Sequence, residues 1–250
     1  MRTDGDQALR AMNDLVDATR ERTPDDAGDP TIPVAATVVL VRDGADGPEI
    51  LLVERPDRGS FAGAWVFPGG KVDVDDADPA HPDDEAAATR RAGVREAHEE
   101  VGLTLDPAAL IPLSVWDPPP GIKLRIRTWF YIVAVPAGAP LDLVLSPAEV
   151  VTAEWLRPAD VLERHARGEV TLYPPTWVTL HGLRDASSAD SLVETVRLQG
   201  VRRFDTVARR LADGPAMLWA EDAEYAGASE GTARHRLEIG ALPWRYTRSD

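Results

Sequence analysis

Between Ala86 and Val101 the chain reads AAATRRAGVREAHEEV, and no other stretch restricts the fold so sharply. Ala and Arg favour a helix. Asp83, Asp84 and Glu85 supply negative charge where the first turn begins, and Gly102 stands where a left-handed cap is expected. At about 100° per residue, Glu99 falls near −60° and Glu100 near +40° from Glu96. The three carboxylates share an arc of roughly 100°, with Val94, Ala97 and Val101 across from them. Such a helix buries one side in a core and carries on the other three like charges that need compensation. A hard divalent cation with oxygen ligands would supply it. The plainer outcome is a solvated acidic face with an arginine partner.

Two neighbouring features favour the cation. Arg95 directly precedes Glu96 and can hold a carboxylate through a bidentate pair. Upstream, Phe67-Pro68-Gly69-Gly70-Lys71 reads as a strand end running into a glycine turn. Paired glycines let a backbone carbonyl approach a ligand closely.

Composition excludes several function classes. The net charge is −15 over 250 residues, which argues against nucleic acid as a bulk partner. An anionic small molecule would need a bridging metal and local arginines. The chain has no cysteine, so disulfide and thiolate chemistry are excluded. No apolar run approaches the ~20 residues of a membrane span, and the N-terminus shows no apolar signal region. A soluble, cytoplasmic protein is the expectation.

Taken in order, Leu9, Met12, Leu15 and Val16 have helical spacing, which predicts an amphipathic N-terminal helix packed on the domain or on a second subunit in a homodimer. Residues 23–31 read as a linker. Val34 to Arg42 and Glu49 to Glu54 flank a DGADG turn and predict paired strands. Residues 72–83 are acidic and contain proline, and read as a solvated surface loop. Leu110 to Trp116 reads as a strand, and Ile122 to Val135 as a longer one. On it Lys123, Arg125 and Arg127 alternate with Leu124 and Ile126, which puts three cations on one face. That face is either a phosphate contact or a polar solvent face. Glu149, in the loop before the next strand, Thr152 to Leu156, and Glu154, within it, are further candidate carboxylates. A helix is expected from Pro158 to about Arg167 and another from the Tyr173-Pro174-Pro175 start. Two more are expected over Leu192 to Gln199 and Val201 to Ala212. Strand-like runs at Met217 to Ala220 and Ala233 to Ile239 complete the chain.

Gly69-Gly70 followed by REAHEEVGL resembles the Nudix box, G-x5-E-x7-R-E-U-x-E-E-x-G-U with U apolar. The second half matches at every fixed position, with the small Ala97 at the first U. The first half departs, because Asp76 stands where the first glutamate is expected and eighteen residues separate it from Arg95. The box thus carries an eleven-residue insertion. Three further stretches resemble the peroxisomal-type coenzyme A diphosphatases and their bacterial relatives. They are FAGAWVFPGG with Asp73 and Asp76, the long insertion itself, and Ser146-Pro147-Ala148-Glu149 leading to Trp155-Leu156-Arg157-Pro158 and Leu172-Tyr173-Pro174-Pro175-Thr176. LRIRTWF, with Arg125, is also similar. Ala62 stands where other coenzyme A diphosphatases show a histidine, and Arg127 where this branch usually shows an acid.

The resemblance implies an α/β fold, the Nudix α/β/α sandwich with a mixed sheet, over residues 31–185. An N-terminal helix and linker, 1–30, would precede it, and a C-terminal extension, 186–250, would pack on the core. It implies Mg²⁺ or Mn²⁺ held by Glu96, Glu99, Glu100 and the Gly69 carbonyl. Arg95 would orient the glutamates and Glu149 would serve as general base. The implied reaction is hydrolysis of a nucleoside diphosphate linked to another moiety. Coenzyme A or an acyl-CoA, giving 3′,5′-ADP and 4′-phosphopantetheine, is the first expectation, with Arg125, Lys123 and Arg127 on the substrate. NADH, ADP-ribose or an oxidised nucleoside triphosphate are the alternatives within enzymes, and a non-catalytic nucleotide sensor is the alternative outside them.

Overall fold

The computed structural model describes residues 16–59, 61–135, 142–227 and 229–249. Its centre is a mixed sheet of eight strands in the order β3-β2-β1-β6-β5-β8, with β4 also pairing β1 and β7 also pairing β2. The strands are β1 (Val34–Gly44), β2 (Gly47–Glu54), β3 (Trp65–Val66), β4 (Gly69–Lys71), β5 (Ile111–Asp117), β6 (Arg127–Ala134), β7 (Thr152–Leu156) and β8 (Arg202–Asp205). β1 and β2 form the expected hairpin, in register from Val41 opposite Ile50 to Gly44 opposite Gly47. β1 runs parallel to β6 and β5 parallel to β8.

β1 is apolar on both faces because both are covered. On one side Ala36, Val38 and Leu40 pack with Ala92 and Val101 of helix α1 (Glu85–Val101). On the other, Val39 and Val41 meet α2 (Pro158–Ala166), α3 (Pro174–Leu183) and α4 (Ala189–Gln199) through Val161, Trp177, Leu180 and Leu192. This is the expected three-layer sandwich. α1 lies tight on the sheet because Gly93 has no side chain. A Cβ there would meet Val38 Cγ2 at 3.0 Å.

Beyond the sandwich lies a four-stranded antiparallel sheet in the order β12-β11-β10-β9. Its strands are β9 (Val207–Leu211), β10 (Gly214–Leu218), β11 (His235–Glu238) and β12 (Arg245–Arg248). The segment 201–212, expected as a helix, is instead β8 and β9. Val201, Phe204, Val207 and Leu211 have near-helical spacing, but Phe204 stacks on Trp116 at 3.8 Å between ring centroids and Trp219 closes on both edge-to-face. Pairing with β5 and burial of three aromatic rings override a local preference of a few tenths of a kcal/mol per residue.

Three other expectations meet the structure. Most of the N-terminal helix lies outside the described residues; Val16, at its end, is buried in the core. The linker 23–31 is pinned, since Asp26 is buried and paired with Arg20 at 2.7 and 2.8 Å. The strand expected from Ile122 begins only at Arg127, so Lys123 and Arg125 lie outside it and the three cations do not share a strand face. Among the described residues no helix is long and apolar enough to cross a membrane.

Candidate functional site

Helix α1 sets the position of the carboxylates. The Asp84 side chain accepts from the Ala87 amide at 3.0 Å and fixes its start. At its end Gly102 adopts φ 76°, and its amide donates to the Ala97 and His98 carbonyls. A side chain at 102 would also run into Val144. The following loop is held to this helix end, where the Ser146 amide donates to the Glu100 carbonyl at 3.0 Å and the Val144 amide to the Val101 carbonyl at 3.0 Å.

The three glutamates share a side of the helix but differ in environment. Glu99 is half exposed, the Glu96 side chain is 13% exposed, and Glu100 is buried at 1%. Glu100 occupies the border of the acidic arc, next to Ala97 and Val101, and the sheet covers it. Its Oε2 accepts from the Gly69 amide at 2.9 Å and its Oε1 from Arg55 Nη1 at 2.6 Å. Burial nonetheless pushes its carboxyl up to about 7, against the opposing pull of Gly69 and Arg55. Burial also raises Glu96, ahead of the lowering effect of Arg95.

The glycine pair is explained by close approach. A Cβ on Gly69 would collide with the Ala36 carbonyl and Thr37 Cα of β1, and one on Gly70 with the Glu96 carboxylate itself. It is the Gly69 amide that makes the observed contact, to Glu100.

Arg95 is the hub. Its Nη1 donates to Glu96 at 2.7 Å and to Glu99 at 3.1 Å. Its Nη2 donates to the Lys71 carbonyl at 2.9 Å and to Asp76 Oδ2 at 2.9 Å, with Nε on Asp76 Oδ1 at 3.3 Å. The bond to Asp76 is the main reason its pKa is raised. Asp76, to which the sequence assigned no role, is the buried partner of Arg95. The insertion read as a solvated loop is exposed at Val74 but folds at Val74–Asp76 into a 3-10 turn that buries Asp76 beneath Arg95. Arg55 was also missed, because it sits in a run read only as polar loop. The available signal was that Arg55 directly follows a buried strand, β2.

Glu149 lies in the loop held to the end of α1, and its charge adds to the raising of both Glu96 and Glu100. It has no ion-pair partner among the described residues. Two of the cations expected to face substrate are engaged with other acids. Arg127 is buried between Asp117 (3.1 Å) and Glu85 (3.2 Å). Glu85 is at the opposite end of α1, about 16 Å of helix rise from Glu96. Arg125 is drawn to Asp26, Asp29 and Asp117 at 3.5–3.6 Å, while Lys123 is exposed.

Glu96, Glu99 and Glu100 thus share two arginines, one of them also bound to Asp76, and the charge of Glu149 adds to theirs. Burial is the main cause of the raised Glu96 and Glu100 carboxyls, and the neighbouring acids add to it. A hard-oxygen donor set with surplus negative charge suits Mg²⁺ or Mn²⁺. As the side chains stand, no three acidic or histidine groups among the described residues converge into a metal cage; Arg95 Nη1 bridges Glu96 and Glu99.

The NUDIX domain family matches residues 31–174. The peroxisomal coenzyme A diphosphatase ndx-8 of Caenorhabditis elegans is 27% identical over 157 residues, which cover 62% of this chain and 58% of that protein. The CTP pyrophosphohydrolase of Escherichia coli K12 is 39% identical over 65 residues, covering 26% of this chain and 37% of that protein. The matches thus span less than two thirds of either relative. A NUDIX hydrolase from Alicyclobacillus acidocaldarius superposes with TM-score 0.55 at 24% identity, covering 65% of this chain and 96% of that one. At that identity the likeness bears on the fold alone.

Proposed function

The chain belongs to the Nudix family, and from that premise we propose that it hydrolyses the diphosphate of a nucleoside diphosphate linked to another group. Coenzyme A or an acyl-CoA, yielding 3′,5′-ADP and a 4′-phosphopantetheine species, is the first substrate class. The observation that carries the reading is Arg95 bridging Glu96 and Glu99 on the same helix as Glu100, whose carboxylate accepts from the Gly69 amide. The nematode relative named a coenzyme A diphosphatase supports the substrate class.

Glu96, Glu99, Glu100 and the Gly69 carbonyl would hold Mg²⁺ or Mn²⁺. Such an ion, when bound, screens diphosphate charge and acidifies a water. Arg95, anchored by Asp76, keeps Glu96 and Glu99 in place. The Gly69 amide and Arg55 orient the Glu100 carboxylate. Glu149, with no counterion to hold its oxygens, accepts the proton of the attacking water. The water oxygen bonds to phosphorus as the bridging oxygen leaves with the other product. Lys123, Arg125 and Arg127 have no part in this proposal, since the latter two are engaged with Asp117.

A nucleoside triphosphate is the second substrate class, favoured by the match to the CTP pyrophosphohydrolase. The intact glutamate trio weighs against a purely sensory domain. The test is a panel of coenzyme A, acyl-CoA, NADH, ADP-ribose and nucleoside triphosphates with Mg²⁺ and Mn²⁺, with products identified by mass. 3′,5′-ADP from coenzyme A is the expected result. Cleavage of triphosphates alone moves the assignment to the second class, and no turnover of any member overturns hydrolysis.

A further inference from the structure

Phe61 is the one non-glycine residue with left-handed backbone among the described residues, at φ 61°. A bulky residue there costs roughly 1–2 kcal/mol. The same loop places glycine at 59 and 63, where φ is 74° and 63°. Glycine at 61 would therefore be the easier choice, yet the chain carries a phenylalanine there, and that residue is 38% exposed. The ring meets Tyr173 edge-to-face at 4.8 Å and 89°.

The loop is tied to the site at both ends. The Arg55 amide donates to the Ala64 carbonyl at 2.9 Å, and the Arg55 guanidinium reaches Glu100. Between them Arg58 Nη2 donates to the carbonyl of Ala148, the residue before Glu149, at 3.0 Å. Phe61 stands three positions before Ala64, no more than ~11 Å of chain. The Trp65 amide donates to the Thr171 carbonyl at 2.9 Å, which brings Tyr173 alongside.

We infer that Phe61 and Tyr173 form a stacking platform for the nucleobase of the substrate, at the lip of the carboxylate site. This rests on the hydrolase reading and names the part of the substrate that the reading leaves unplaced. An edge-to-face pair leaves one face of the exposed ring open to a flat heterocycle. Arg58, three positions before that ring, is held by the Ala148 carbonyl next to Glu149, with its charge available to the linking phosphate. A strained backbone that keeps an aromatic ring at a site's edge is the kind of outlier found where a ligand is gripped.

The probe is AMP, titrated into the whole protein by calorimetry in EDTA, so that binding is read without turnover. Phe61→Ala weakens AMP by about tenfold, within the range that base stacking on an aromatic side chain supplies. Phe61→Trp restores it. Phe61→Gly also loses AMP but melts at a higher temperature than Phe61→Ala, because both lack the ring and only glycine is at ease at this φ. On the cleaved substrate Phe61→Ala raises KM with kcat held, and leaves a base-free diphosphate unaffected. AMP affinity equal across wild type, Phe61→Ala and Phe61→Gly, or no AMP binding by the wild type, overturns the platform. An absence of turnover with AMP binding intact overturns only the hydrolase reading.

Discussion

Replacing Glu100 by glutamine should make the metal-free protein respond less to pH, with a sign that depends on where the measurement is made. In the fold the Glu100 carboxyl titrates near 7 rather than at its ordinary 4.5. The folded state therefore binds this proton more tightly than the unfolded chain. The stabilising contribution is fully present below 4.5, declines between 4.5 and 7, and is gone above that. About 2.5 units at 1.36 kcal/mol each amounts to about 3 kcal/mol. With a pI near 4.7 the protein is best studied above pH 5. Between pH 5.5 and 8.5 the wild type should lose about 2 kcal/mol that Glu100→Gln keeps. For a chain of this length that is a differential shift of about 4–8 °C in Tm. Thermal melts in EDTA of both proteins at the two pH values measure it. The amide cannot replace both carboxylate contacts, so the variant's absolute stability is offset; the difference between the two pH values is the quantity that counts. If Glu100→Gln shifts Tm equally at both, Glu100 is ionised throughout and its burial carries no charge penalty.

Other outcomes follow from the same geometry. Glu99→Gln should lower kcat at least ~10²-fold with Tm in EDTA unchanged, since Glu99 is half exposed; Mg²⁺ should raise Tm less than in the wild type. Asp76→Ala removes the buried partner of Arg95 and should cost about 3 kcal/mol in urea unfolding, with a fall in kcat at unchanged KM. Arg125→Ala should destabilise the protein by about 1–3 kcal/mol, because Asp26 and Asp117 lose a partner, and should change KM for coenzyme A by less than about twofold. A large KM effect at unaltered stability would return Arg125 to the substrate.

Helix α1 was legible because its signals are local. Asp84, Gly102 and the glutamate spacing act within a turn or two, and the observed helix begins one residue before the expected Ala86. The hairpin β1–β2 was legible for the same reason. Asp76 was not, because its role depends on how an eleven-residue insertion folds back onto Arg95. The burial of Glu100 was hidden as well. A helical wheel places it beside Ala97, but only the position of Gly69 and Arg55 shows which side of that border the sheet covers. The cationic alternation at 123–127 misled because Asp26 and Asp29, about a hundred residues earlier in the chain, draw Arg125 away from strand geometry. Phe204 misled in turn because its stacking partner, Trp116, lies far back in the sequence.

The parallel pairing of β5 with β8 bears on how the chain is made. Residues 31–174 leave the ribosome with β5 as a sheet edge, the amides and carbonyls that later meet β8 unpaired and the face of Trp116 that stacks on Phe204 uncovered. Nothing can close that edge until Arg202–Asp205 has been synthesised, and Trp219 follows later still. At typical elongation rates of about 5–20 residues per second the interval lasts seconds. Throughout it the nascent sandwich presents the kind of open strand on which another chain can build. A chain shortened before β8 would carry that open edge permanently.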